Sequence, residues 1–273
     1  MLGPELRYSF NGLDLDAVAL ATYALEIGRN DDIMAKALTM AGHFYPGTGA
    51  KVAGVTAAGR ERLGGRVVSI YEVPQYENEL PQDIRARQFI VQIAIPLGEE
   101  HESLAMLMSM AAGELLAFGR VKLLDLALPQ EYVGRYPGPQ YGVQGIRKLL
   151  GVAERPLVLA IMKPAVGFSA QEGAAIFLQT AAGGADIVKD DELLADPSYC
   201  RRAERVKLYM KAEQRAFEET GEHTLYAVNI TDRVDQLISN ARAAIELGAN
   251  ALMINYLQVG LDATRLLCSH SQV

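Results

Sequence analysis

Cysteine is scarce: Cys200 and Cys268 stand far apart in 273 residues and outside any CxxC spacing, so no disulfide framework is encoded and a reducing cytoplasm is the expected location. The first twenty residues, MLGPELRYSFNGLDLDAVAL, lack a basic segment followed by an apolar core, so no secretory leader is read there. No apolar stretch approaches the roughly 18 residues that a bilayer span needs, and a membrane is not an expected partner. Long basic runs are missing too, since none exceeds two residues. With 26 basic against 33 acidic side chains the net charge is −7, which argues against nucleic acid and anionic surfaces while leaving a small anionic ligand open through local basic groups. What is present is apolar material, 50% of the chain, enough to bury a sizeable core in one large domain or two ordinary ones.

Residues 1–135 read as a mixed α+β domain. DAVALATYALEI is a strand candidate, and DDIMAKALTMAGHF a helix whose acidic start suits its positive end. GRVVSIYEV and ARQFIVQIAIPL read as strands from their β-branched content and bounding Gly and Pro, and HESLAMLMSMAAGELLAF has the 3.6-residue period of a helix. Together they predict a sheet covered by two helices, of the ferredoxin-like kind. GRYPGPQYG, at 134–142, is the most turn-rich stretch of the chain and places the domain junction between 135 and 136.

From 136 to 273 strands and helices alternate: PLVLAIM then SAQEGAAIFLQTAAGG, ADIV then a long helix to EETG, TLYAVNI then RVDQLISNARAAIELG, NALMIN then DATRLLCSH. Apolar strands separated by helices belong to a parallel sheet with right-handed crossovers, here four βα units. Such a region is half a (β/α)₈ barrel, and four units do not close one. An open sheet, a half barrel pairing with another copy and a piece of a longer protein all remain open. Each strand runs out on a polar residue, Lys163, Lys189, Asn229 and Asn255. Carboxyl ends of parallel strands carry the binding sites of α/β proteins, so these four positions predict one functional rim, although polar residues also mark where a buried strand surfaces.

The second of these strands ends in GGADIVKDDELLAD. Alternation sends Lys189 and Asp191 to the same side, and Glu192 follows. Two carboxylates make an incomplete Mg²⁺ site, because Mg²⁺ prefers octahedral oxygen coordination. On spacing alone two readings stand: the lysine is a salt-bridge partner, or it is converted into a further oxygen ligand.

Residues 155–195, with KPAVG at 163–167 and GGADIVKDDE at 183–192, resemble the start of the barrel of the ribulose-bisphosphate carboxylase (RuBisCO) large-chain superfamily. The likeness extends through GPQYGVQGIRKLLGV, TLYAVNITD and NALMINYLQVGLDATRLL, and more weakly through the N-terminal half. It implies an N-terminal α+β (ferredoxin-like) domain followed by the first half of a TIM barrel, in a homodimer whose site lies at the subunit interface. It further implies that Lys189 is carbamylated by CO₂ and binds Mg²⁺ beside Asp191 and Glu192, and that Lys163 moves a proton at an enolisable carbon. A lysine with that task needs its ordinary pKa of about 10.4 lowered, and a neighbouring divalent cation does so.

The departures argue against a true carboxylase. Ala165 and Ile161 stand where the carboxylases carry a second lysine and a threonine, and His43 and Thr48-Gly49 stand where they carry a substrate-binding Glu and Thr-Trp. Glu114 occupies the place of an asparagine in carboxylases and of a base lysine in the family's methionine-salvage enolases, so it is a candidate base or a helix-face charge. The resemblance is therefore to the RuBisCO-like (form IV) proteins, linked to sulfur metabolism. It implies Mg²⁺-dependent enolisation or isomerisation of a small phosphorylated, sugar-phosphate-like ketone. The family's fifth to eighth strands have no counterpart in this sequence, so little turnover is expected from this chain by itself. A non-catalytic fragment serving as a dimerising scaffold is the alternative. His43, His101, His223 and His270 show no metal-like spacing and read as surface or turn residues. The methionines of MLMSM and of the helix at 34–40 read as core, and PGTGAKVAG, lacking the Walker order, as a turn.

Overall fold

The computed structural model describes residues 12–270 apart from 46, 49, 51, 75, 77, 78, 99–102 and 139. The chain divides into two compact units, Met1–Tyr136 and Pro137–Val273.

In the first unit β1 (Val18–Gly28), β2 (Arg66–Glu72), β3 (Ala86–Pro96) and β4 (Arg120–Ala127) form an antiparallel sheet in the order β2-β3-β1-β4. With helices between β1 and β2 and between β3 and β4, this is the split βαβ arrangement of ferredoxin-like folds. Period-two alternation puts Ala19, Ala21, Tyr23, Leu25 and Ile27 of β1 on one face with Phe89, Val91, Ile93 and Ile95 of β3. The helix α1 (Ile33–His43) packs Ala37, Leu38, Met40 and Ala41 onto them. It starts where Asp32 accepts from the Met34 and Ala35 amides, satisfying donors that the first turn leaves free. A short helix α2 (Ala57–Leu63), capped by Thr56, precedes β2. It follows the turn predicted for PGTGAKVAG, of which Pro46, Gly49 and Lys51 lie outside the described residues.

Two features differ from expectation. HESLAMLMSMAAGELLAF is not one helix: α3 (Leu104–Met108) passes into a π-helical turn at Ser109–Gly113 and a 3₁₀ turn at Glu114–Ala117. The hydroxyl of Tyr23, fully buried on β1, donates to the Ala111 carbonyl at 2.7 Å and so satisfies a group within the widened turn. The other difference is β4, which alternation does not announce. Its pairing with β1 shifts register between Thr22 and Tyr23, so a bulge breaks the period and leaves Leu124 exposed.

α4 (Gln130–Val133) closes the first unit, and the second opens with α5 (Gly142–Leu150), which stops at Gly151 in the left-handed region. Four parallel strands follow in sequential order: β5 (Leu159–Ile161), β6 (Ile187–Lys189), β7 (Leu225–Asn229) and β8 (Ala251–Met253). They are shorter than their apolar runs predict. Between and after them come α6 (Ala170–Ala182), α7 (Arg202–Thr220), α8 (Leu237–Glu246), α9 (Tyr256–Val259) and α10 (Leu261–Cys268). A capping box of Ser169 and Glu172 starts α6. Phe177, Tyr209 and Tyr226 meet in the core at centroid distances of 4.8–5.5 Å. Gly173 lets α6 approach α7, because a Cβ there would lie 1.9 Å from the Tyr209 hydroxyl. The outermost strand β5 leaves Leu159 and Ile161 about half exposed. This is the α/β architecture anticipated for an N-terminal α+β domain followed by the first strands and helices of a barrel.

Candidate active site

The carboxyl ends of β5–β8 form one rim. Lys189 closes β6 and Asn229 closes β7, while Lys163 and Asn255 stand two residues beyond β5 and β8. Alternation along β6 sends Val188 and Asp190 into the core, where both are fully buried, and turns Lys189 and Asp191 to the rim.

Two ion pairs occupy that rim. Lys163 Nζ donates to Asp191 Oδ2 at 2.6 Å, and Lys189 Nζ donates to Glu192 Oε1 at 2.5 Å. The structure therefore brings Lys163, Lys189, Asp191 and Glu192 together, with each lysine on a different acid. Lys163 is 64% exposed while Asp191 is 6% exposed, and the second pair reverses this: Lys189 15%, Glu192 55%. Lys163 holds the Asp191 carboxyl below the ordinary carboxylate range, assisted by the Leu193 amide, which donates to Asp191 Oδ1 at 3.0 Å. Lys189 lowers Glu192 likewise. Both acids are thus anions at neutral pH.

The backbone carrying them is held from behind. Asn229 donates its side-chain amide to the Asp191 and Glu192 carbonyls at 3.2 Å each, and Asn255 donates to the Glu192 carbonyl at 3.2 Å. Behind the turn lies Asp190, paired with Arg205 of α7 at 3.0 Å, both side chains 0% exposed. Burial pushes the Asp190 pKa up, opposed by Arg205, by the Asn229 backbone amide at 2.9 Å and by the Tyr226 hydroxyl at 2.9 Å. Sequence reasoning passed over Arg205. A signal exists in the spacing of Arg205, Tyr209, Ala212 and Ala216, which sets an arginine on the apolar stripe of a helix.

Among the described residues no group of three or more His, Cys, Asp or Glu side chains converges to hold a metal. Asp191 and Glu192 are two carboxylates of the kind that hold Mg²⁺ with waters or substrate oxygens completing its shell, but Lys189 Nζ adds no oxygen there and meets Glu192. As an ammonium it instead neutralises that acid.

Glu114 lies in the first unit. The π-helical and 3₁₀ turns carry it beside His43, whose Nε2 is 2.6 Å from Glu114 Oε2. His43 ends α1, is 19% exposed and meets Phe118 edge-on at 5.0 Å, so it is a paired residue rather than a lone surface histidine. The pair lines a cavity of about 860 Å³ together with Phe44, Met106, Met110 and Leu115. Met40 is fully buried as read from sequence, whereas Met106 is exposed. His223 stacks on Phe217 at 3.9 Å and pairs with Glu213 at 2.9 Å, and His270 follows α10. His101 lies outside the described residues. Cys200 is buried, Cys268 is exposed and both are free. Among the described residues no helix is long and apolar enough to cross a membrane.

Residues 142–271 match the family described as ribulose bisphosphate carboxylase large chain, catalytic domain. A ribulose bisphosphate carboxylase-like protein of Archaeoglobus fulgidus is 40% identical over 262 residues, covering 96% of this chain and 60% of the relative. A 2,3-diketo-5-methylthiopentyl-1-phosphate enolase of Geobacillus thermodenitrificans is 36% identical over 248 residues, covering 90% and 59%. The crystal structure of a RuBisCO-like protein from Alicyclobacillus acidocaldarius superposes with a TM-score of 0.78 at 32% identity, covering 94% of this chain and 62% of that one. The chain thus spans about 60% of the length of the relatives it matches. The KPAVG and KDDE strand ends, the two-unit fold and these likenesses agree: the chain belongs to the RuBisCO large-chain superfamily, among its RuBisCO-like proteins.

Proposed function

We propose that the protein catalyses, or supplies the metal-binding part of an enzyme that catalyses, Mg²⁺-dependent enolisation or isomerisation of a small phosphorylated ketone in sulfur metabolism, without carboxylation. The observation that carries this reading is the 2.6 Å contact of Lys163 Nζ with Asp191 on the rim that also holds Lys189 and Glu192. It sets a proton-carrying amine against a candidate metal carboxylate.

In this reading the Lys189 amine adds to CO₂: an Nζ–C bond forms, one carbonyl electron pair moves to oxygen and a proton is released. That carbamate, together with Asp191 and Glu192, would hold Mg²⁺ through three anionic groups. When bound, the cation polarises the substrate carbonyl as a Lewis acid. Lys163 Nζ, as the free amine, takes the proton from the carbon α to that carbonyl, and Asp191 keeps the amine at the rim. In the first unit Glu114 is a second candidate base, with His43 to hold its carboxylate, and the cavity beside them is lined by apolar side chains. Ala165 and Ile161 support a reaction that stops short of carboxylation. The enolase name of the Geobacillus relative supports the sulfur-metabolic setting. A homodimer in the cytoplasm is part of the same proposal.

The test is exchange of solvent deuterium into a phosphorylated α-diketone by the full chain with Mg²⁺ and bicarbonate, read by mass spectrometry. Exchange that disappears in Lys163→Ala supports the reading. Exchange at the uncatalysed rate removes the enzyme reading for this chain and leaves the dimerising scaffold, whose sign is a stable dimer without exchange.

A further inference from the structure

We infer that Arg205, acting through Asp190, Tyr226 and Asn229, is a positioning residue that sets the metal-binding geometry of Asp191 and Glu192; this rests on the metal-site reading above. Arg205 and Asp190 are both 0% exposed, which is a poor way to gain stability. Removing two charges from water costs several kcal/mol per ion, and apolar side chains of similar volume often serve folding as well or better. Its placement gives the pair another use.

The guanidinium donates Nε and Nη2 to Asp190 Oδ2 at 3.2 and 3.0 Å, Nη2 to the Ala195 carbonyl at 2.9 Å and Nη1 to the Cys200 carbonyl at 2.8 Å. One side chain on α7 therefore grips the start and the end of the segment that presents Asp191 and Glu192. Asp190 completes the link: its Oδ2 accepts the Asn229 backbone amide at 2.9 Å, and Asn229 in turn donates its side-chain amide to the Asp191 and Glu192 carbonyls. The Tyr226 hydroxyl accepts from Arg205 Nε at 3.0 Å and donates to Asp190 at 2.9 Å. The Asp191 and Glu192 carbonyls are thus tied to Arg205 through a chain of three hydrogen bonds, by way of Asp190 and Asn229. Carboxylate ligands owe their orientation to such outer contacts, whose loss lowers metal affinity by about 10- to 100-fold.

The same core provides a matched control. The Tyr209 hydroxyl is buried without a hydrogen-bond partner among the described residues, and its ring lies 4.8 Å from that of Tyr226. Tyr209→Phe and Tyr226→Phe each remove one buried hydroxyl from neighbouring rings, and only the second touches the frame.

The experiment measures Mn²⁺ affinity of the full chain in bicarbonate by the free-ion EPR signal, beside the melting temperature. Tyr226→Phe and Arg205→Met are expected to weaken Mn²⁺ binding about tenfold. Arg205→Lys, which keeps the charge but not the fork of donors, recovers part of it. Tyr209→Phe binds Mn²⁺ like the wild type. If an Arg205 variant does not fold, Tyr226→Phe decides. Equal affinity in Tyr226→Phe and Tyr209→Phe overturns the positioning role while leaving the metal site standing. A wild type that binds no Mn²⁺ in bicarbonate overturns the metal-site reading and the inference with it.

Discussion

Asp190 and Asp191 are neighbours in sequence and opposites in circumstance. Asp190 turns inward to a guanidinium with no solvent exposure on either side, and Asp191 turns outward to a lysine that is 64% exposed. Burial raises the pKa of the first, and Lys163 lowers that of the second. The difference separates two uses of one residue type. A buried pair is fixed, because breaking it strands a charge, whereas a pair at the rim can exchange its partner for a cation at little cost.

The comparison breaks most visibly at Asp190. Asp190→Leu leaves Arg205 buried without its counter-ion and is expected to destabilise the second unit by roughly 3–5 kcal/mol, read as a lowered urea midpoint. Asp191→Asn, whose lysine partner is largely solvated, is expected to lower that midpoint less than Asp190→Leu does. A midpoint that falls equally in both variants erases the distinction. The same Asp191→Asn chain is expected to lose at least about 100-fold in Mg²⁺ affinity by calorimetry, more than the frame variants, because under the proposed function it removes a ligand rather than its support.

In the first unit, Glu114→Gln is expected to slow deuterium exchange by about 100-fold if the carboxylate is a base, with the protein as stable as before. An unchanged rate assigns Glu114 to a helix-face charge held by His43. The smallest effect concerns an ion pair within the sheet of the first unit. Arg87 lowers the Glu72 pKa from 4.5 to about 2, so the folded state holds that carboxylate charged where the unfolded chain protonates it. The stabilisation is present above pH 4.5 and fades as pH falls through about 2. Comparing urea midpoints at pH 5 and pH 2 in wild type and Glu72→Gln, which loses this component, checks it.

Much of this was legible in sequence where a short period or a local motif governs. The alternation of β1 and β3 follows from their inward residues, and the rim follows from where apolar strands meet Lys163, Lys189, Asn229 and Asn255. What stayed hidden depends on partners distant in the chain. The π-helical turn is tied to Tyr23, 88 residues from Ala111, and Glu114 meets a histidine 71 residues away. β4 escaped because a bulge breaks its period. Spacing suggested Lys189 and Asp191 as a pair, yet each took a different partner, because the choice turns on how Lys163 arrives from the neighbouring strand.

The proposed function requires Lys189 to change from an ammonium that neutralises Glu192 into an oxygen ligand beside it. The direct measurement is ¹³C NMR of the full chain in ¹³C-bicarbonate with and without Mg²⁺. A carbamate resonance that appears with Mg²⁺ and is absent from Lys189→Ala is the predicted result. No carbamate in the wild type, together with unchanged Mg²⁺ binding in Lys189→Ala, would contradict it and leave the Lys189–Glu192 contact a salt bridge.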